Sequence, residues 1–209
     1  GFDPDGQFGL IYALATTLSS LLLVGFAKLI DYIDLRIYSL IISIGLFIAC
    51  FGMFLFYQNV IYLFTIIFAL RFFGQGAMTH AGETTMARYF GENRGKAISI
   101  STLGGMTGVM FLPIIVIKLI KYYDLNLVWL ISSMSIALFI PLMFLALNNQ
   151  SNRHLNFKNK ILNDPVNKKW RTRDVVFDQK FYIYLPLSIA TPFISTGLMF
   201  HQIFIFNEK

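Results

Sequence analysis

The chain has 209 residues, of which 56% are hydrophobic, 16% aromatic and only 13% charged, with a net charge of +6. That balance lies outside the range of soluble globular domains and points to an integral membrane protein. The basic residues fall at the ends of apolar runs and in one polar segment, which is the pattern of topogenic charge and excludes a nucleic-acid-binding face.

The apolar runs do not alternate with period two, so the spans are helices, not strands of a barrel. Residues from Gly1 carry no basic stretch followed by an apolar core, and no signal peptide is expected. The chain reads as an internal piece of a longer protein. Asp3 to Gly6 form a polar turn before a first span over Gln7–Ala27. A charged loop, Lys28–Arg36, leads to a second span over Ile37–Tyr57. Gln58 and Asn59 turn into a third, Val60 to about Thr84. The basic loop Arg88–Lys96 precedes a fourth span over Ala97–Ile120, and Tyr122–Asn126 turns into a fifth over Leu127–Leu147. Asn148–Lys180 is the one long polar segment, and Phe181–Phe206 is a sixth span. The organisation predicted is therefore an all-α polytopic transmembrane bundle. Residues 1–147 form one group of five helices, 148–180 a linker, and 181–209 the first helix of a second group.

Lys28, Arg36, Arg88, Arg94, Lys96 and the basic residues of 148–180 fall on one side; Lys118 and Lys121 fall on the other. Under the positive-inside rule, loops 28–36, 88–96 and 148–180 are cytoplasmic. Within the linker, Trp170 and the cluster Val175, Val176, Phe177 fit either a solvated connector or a short interfacial helix. Cys50 lies alone in an apolar run and supports neither a disulfide nor a metal site.

The third span holds the most informative residue. Counted from Val60, Arg71 lies roughly 16 Å along the helix, near the middle of a hydrocarbon core about 30 Å thick. A guanidinium there costs about 3 kcal/mol on insertion scales and persists only where it faces protein or a wet cavity. Helical spacing puts Gln75 and Thr79 on or near its face, and Gly74, Gly76 and Ala77 allow close approach of a neighbour. Two readings stand side by side. Arg71 binds a carboxylate solute through its planar fork, or it is a structural arginine satisfied by helix ends or backbone carbonyls. His80 and Glu83, one turn apart, form either a proton relay or an interfacial structural pair; with no third ligand nearby, they are no metal site.

Gly104 and Gly108 in the fourth span form a small-residue face for packing, and Pro113 bends that helix. Pro186, Pro192 and Gly197 predict a broken sixth helix lining a cavity, with Thr191, Ser195 and Thr196 near mid-membrane. In the first span Thr16, Thr17, Ser19 and Ser20 bring hydroxyls to mid-depth, where they can bond to their own helix. There is no H-E-x-x-H, G-x-S-x-G or Walker loop, so neither an enzyme nor an ATP-driven pump is expected, and no cofactor.

Together these residues resemble the major facilitator superfamily. Ala27 to Arg36, with Asp31 and Arg36 in place, is similar to that family's loop between helices two and three, although Ala27 and Asp34 stand where it has glycines. The run Arg71-Phe72-Phe73-Gly74-Gln75-Gly76 resembles its fourth-helix signature. Ala87 to Ala97, with Arg94, resembles its loop between helices four and five. Trp170 to Val175 and Thr196 to Gln202 resemble the start of the second half in a bacterial branch near monocarboxylate and oxalate/formate-type carriers. The fifth-helix antiporter signature is absent.

The resemblance implies six spans of an expected twelve, helices two to seven. It also implies loop-signature roles for Asp31, Arg36 and Arg94, and a central cavity that Arg71 and Thr191–Thr196 face. The expected function is alternating-access transport of a small organic anion by proton symport or exchange, in a bacterial inner membrane, with the lipid bilayer as the other partner. Efflux of amphipathic compounds and a transport-inactive sensor are the alternatives.

Overall fold

A computed structural model describes residues 4–56, 60–148 and 172–207. Every regular element among them is helical. In chain order these are α1 (Pro4–Ala27), α2 (Leu35–Phe56), α3 (Val60–Ala69), α4 (Met78–Tyr89), α5 (Arg94–Tyr122), α6 (Leu125–Ala146), α7 (Thr172–Val176) and α8 (Gln179–Asn207). Six helical rods are long and apolar enough to cross a membrane, as the sequence predicts. The shortest of the first five spans, α2 and α6, have 22 residues, about 33 Å at 1.5 Å per residue, enough for the hydrocarbon core.

The chain divides into two units, residues 1–160 and 161–209. In the first, α1 and α2 pack on the third rod, α2 lies along α6, and α5 lies beside α4. The second unit contains α7 and α8. The expected linker over 148–180 is described only at its edges, and Trp170 lies outside the described residues. Val175, Val176 and Phe177 are exposed, with the Arg173 guanidinium 5.6 Å from the centre of the Phe177 ring.

The third rod is not one α-helix. Between α3 and α4, Leu70–Ala77 winds as a π-helix, in which the Met78 N–H reaches the Phe73 carbonyl five residues back. The rod then continues to Tyr89, one turn beyond its predicted end. It stops where Gly91 takes a φ of +32°, in the left-handed region that glycine tolerates.

The buried core sits between the π-helix and its neighbours. Ile30, Leu35, Tyr38, Ile42, Ala77 and Ala81 form its centre, with Leu23, Phe26, Phe73 and Leu147 packed around them. Phe26 stacks on Tyr38 with ring centres 5.3 Å apart and meets Phe72 edge-on at 5.0 Å; Phe72 and Phe73 are edge-to-face at 5.0 Å. The α2–α6 seam is closed by small polar groups, with Ser43 and Ser133 fully buried and the Ser43 hydroxyl 3.5 Å from Met143 Sδ. Hydroxyls suit such seams because they are small and bond to nearby carbonyls.

One expectation about helix shape is corrected: α8 runs unbroken through Pro186 and Pro192. Pro113 likewise lies inside the continuous α5. Each proline removes one N–H from the ladder while the bonds on either side continue, which is tolerated in a span. The departure from α geometry occurs instead around Arg71. Gly104 and Gly108 do not form a packed face among the described residues. A Cβ at 104 would meet nothing within 4 Å, and one at 108 only Leu112 of the same helix. No residue of α5 is buried.

The glycine that does carry packing is Gly45 of α2. A Cβ there would lie 2.7 Å from the Phe73 ring, below any real carbon contact, and an aromatic ring cannot fold away. We expect Gly45→Ala to destabilise the protein by about 1–3 kcal/mol through overpacking. The check is the thermal unfolding midpoint in detergent. Gly45→Ala should lower it, Gly45→Ala with Phe73→Leu should recover it, and an unchanged midpoint for the single variant contradicts the packing described.

Candidate functional site

Arg71 is the second residue of the π-helix, half-buried, with its partners on α1. Its Nε donates to Thr16 Oγ1 at 3.0 Å, and its central carbon lies 4.4 Å from the centre of the Tyr12 ring. Tyr12 and Thr16 are four residues apart, so both project from one face of α1. The reading of this stretch as hydroxyls that bond to their own helix holds for Thr17, Ser19 and Ser20. Thr17 donates to the Ala13 carbonyl, Ser19 and Ser20 to that of Thr16. Thr16 instead receives the arginine. Tyr12 carried no sequence signal of its own; a ring one turn before a mid-span hydroxyl is common in apolar helices.

The magnitudes account for how the charge is held. Inserting a guanidinium costs about 3 kcal/mol on translocon scales. A desolvated cation–π contact contributes about 2 kcal/mol, and an interhelical hydrogen bond in a membrane about 0.6. The two contacts are thus of about the size of the cost, and both partners are neutral. Among the described residues no carboxylate pairs with Arg71. The guanidinium is held in place, and no described acidic residue compensates its charge.

The structure brings part of the predicted site together. Gln75 and Thr79 follow Arg71 along the rod and are exposed, while Phe72 and Ala77 between them are buried. One face of the rod is therefore polar and open, and the other is aromatic and packed. Gly76 and Gly74 do provide close approach, though to side chains: a Cβ at Gly76 would sit 3.0 Å from Leu23 Cδ2, and one at Gly74 3.2 Å from Leu46 Cδ1. In the second unit Ser195 and Thr196 are exposed on α8, which also contains Thr191.

His80 and Glu83 do not pair. His80 Nε2 lies 3.3 Å from Thr84 Oγ1, its Nδ1 is buried without a hydrogen-bond partner, and Glu83 is exposed. The hydroxyl one residue further on is a neutral partner that need not lose the hydration a carboxylate would forfeit. Among the described residues no three His, Cys, Asp or Glu side chains converge on a metal-sized space.

At the basic end of the bundle, two arginines tie helix ends that are far apart in sequence. Arg36, at the start of α2, donates from Nε to the Leu147 carbonyl at 2.7 Å, from Nη1 to Asn148 Oδ1 at 3.0 Å, and from Nη2 to the Asn148 carbonyl. It thereby covers the C-terminal carbonyls of α6, where a cation is favoured. Arg88, in the last turn of α4, bonds to Asp31 and to the Ile30 carbonyl. Asp34, which stands in for a glycine of the family loop, accepts the Arg36 N–H at 2.9 Å and so caps α2. Arg94 is exposed at the start of α5. Arg88 was missed as a site residue because nothing local distinguishes it from the other basic residues of its loop.

The Major Facilitator Superfamily profile matches residues 2–208, nearly the whole chain. The chain belongs to that superfamily. It is a membrane transporter of the major facilitator type, and the family points to transport, not enzymatic chemistry. No curated protein and no solved structure matches the chain. In this major facilitator protein, the loop residues Asp31 and Arg36 both make bonds between helices, to Arg88 and to the end of α6.

The two ties of this transporter should differ in strength. Asp31 is half-exposed, and a pair of that kind contributes at most about 1 kcal/mol. Loss of Arg36 leaves the helix-end carbonyls without their donors, at about 1–3 kcal/mol. We expect Arg36→Ala to lower the unfolding midpoint in detergent more than Asp31→Ala does, and Asp31→Arg with Arg88→Asp to recover most of the loss caused by either change alone. The reverse ranking of Arg36→Ala and Asp31→Ala would contradict the assignment.

Proposed function

We propose that this transporter carries a small organic anion, a carboxylate, with Arg71 as its binding cation and Gln75 and Thr79 as solute-facing neighbours. The single observation that carries the reading is the state of Arg71. It is oriented by neutral partners on α1, half-buried in mid-span, and not neutralised by a carboxylate of the described bundle. An arginine kept only for structure is ordinarily satisfied by acidic groups or carbonyls, as Arg36 and Arg88 are here.

Thr191, Ser195 and Thr196 are proposed as solute-facing hydroxyls on their own helix. Proton symport or exchange is the proposed coupling, by alternating access between two helical bundles. The basic loops 28–36 and 88–96 are proposed to lie in the cytoplasm, since the basic excess falls on that side. A bacterial inner membrane, and kinship with monocarboxylate and oxalate/formate-type carriers, rest on the loop and helix residues quoted above.

The test is uptake of labelled acetate, lactate and oxalate by the protein, expressed from its full reading frame, in proteoliposomes. Lysine keeps the charge and loses both the Nε bond and the planar fork. We expect Arg71→Lys to lower kcat/KM for the transported acid at least about tenfold, which corresponds to the loss of one charge-assisted hydrogen bond. Uptake by Arg71→Lys equal to that of the unaltered protein would remove the anion reading.

A further inference from the structure

We infer that Tyr12 and Thr16 are positioning residues that decide which edge of Arg71 meets the solute, so that a carboxylate docks end-on across Nη1 and Nη2. This rests on the reading of Arg71 as the anion-binding group. A guanidinium offers a carboxylate a terminal edge, Nη1 with Nη2, and a side edge, Nε with one Nη. The side edge is taken in this bundle, because Nε donates to Thr16 Oγ1 at 3.0 Å. The guanidinium carbon also sits over the Tyr12 ring, 4.4 Å from its centre.

The two groups act together because of where they sit. They stand one turn apart on α1, so a rigid helix holds the plane and the edge in a fixed relation. Arg71 itself springs from the wider π turn, whose neighbouring rings Phe72 and Phe73 are anchored in the aromatic core. Its four side-chain torsions are free in solution; with Nε tied and the guanidinium held over the Tyr12 ring, little of that freedom remains to be lost when a solute arrives. The terminal edge makes no hydrogen bond to any described residue, and it is the edge best matched to two carboxylate oxygens. Thr16 is distinct from its neighbours in this respect, since Thr17, Ser19 and Ser20 donate to carbonyls of their own helix.

Phenylglyoxal, which condenses with the two terminal nitrogens of a guanidinium, tests the inference in proteoliposomes of the full-length protein. Peptide mass spectrometry should find Arg71 modified, and acetate or oxalate should protect it. In Thr16→Val and Tyr12→Leu, the concentration for half-protection and the KM for uptake should each rise about tenfold, with the maximal rate within about twofold of the unaltered protein. Thr16→Ser and Tyr12→Phe keep the hydroxyl and the ring, and should behave as the unaltered protein; thermal midpoints within a few degrees exclude misfolding as the cause. An Arg71 that phenylglyoxal does not modify overturns the inference, as does protection in Thr16→Val and Tyr12→Leu equal to that of the unaltered protein. Modification of Arg71 without protection by either acid in the unaltered protein overturns the anion reading itself.

Discussion

A positive charge in the middle of an apolar span has to be held by something, and in this transporter what holds it is neutral. The ring of Tyr12 and the hydroxyl of Thr16 supply interaction energy of the same order as the cost of inserting the guanidinium. A carboxylate in their place would supply more, and would also cancel the charge. With neutral partners, the charge of Arg71 is left uncancelled by any described residue. Position and charge are thus set by different groups.

The rest of the helical unit can be understood as the frame for that arrangement. The rod that carries Arg71 opens into a π-helix at that point, a rare geometry frequent at functional sites. Its two adjacent rings turn into the core against Phe26 and Tyr38, and Gly45 on α2 leaves the space one of them fills. Aromatic packing on one side thus accompanies the polar face on the other. The wide turn lies within a chain of large rings that cannot shift independently, because interiors at close packing have no slack to absorb a displaced ring.

Arginine serves three purposes in this fold, and its partners separate them. Arg36 covers backbone carbonyls at the end of α6. Arg88 joins the end of α4 to the turn that follows α1 through a carboxylate and a carbonyl. Arg71 meets a ring and a hydroxyl. The first two fix the mutual positions of helix ends at the basic side of the bundle, where water competes for every charge and each tie is individually weak. These two ties at the helix ends hold a set of rods whose lengths are joined mainly by apolar and small-residue contacts and by the Arg71–Thr16 bond.

The sequence by itself determined the membrane class, the six spans to within a few residues, and the presence of one arginine too deep to be incidental. These follow from quantities that add along the chain: hydropathy over a window, charge at the ends of runs, and rise per residue. It also carried the family likeness, in Asp31, Arg36 and the run from Arg71 to Gly76. Only the tertiary structure decided who touches whom. Thr16 and Arg71 are 55 positions apart, and Arg36 and Asn148 are 112 apart. No local pattern distinguishes a hydroxyl that receives a guanidinium from one that bonds to its own helix. The same limit explains the prolines and glycines. Proline at 186 and 192 predicts a break, yet the helix continues because the bonds around each site are intact. Gly104 and Gly108 have the spacing of a packed face and no neighbour within the described bundle, whereas Gly45, with no motif around it, seats a ring. Spacing along one helix states which residues share a face; which face another helix occupies is settled by the packing of the whole bundle.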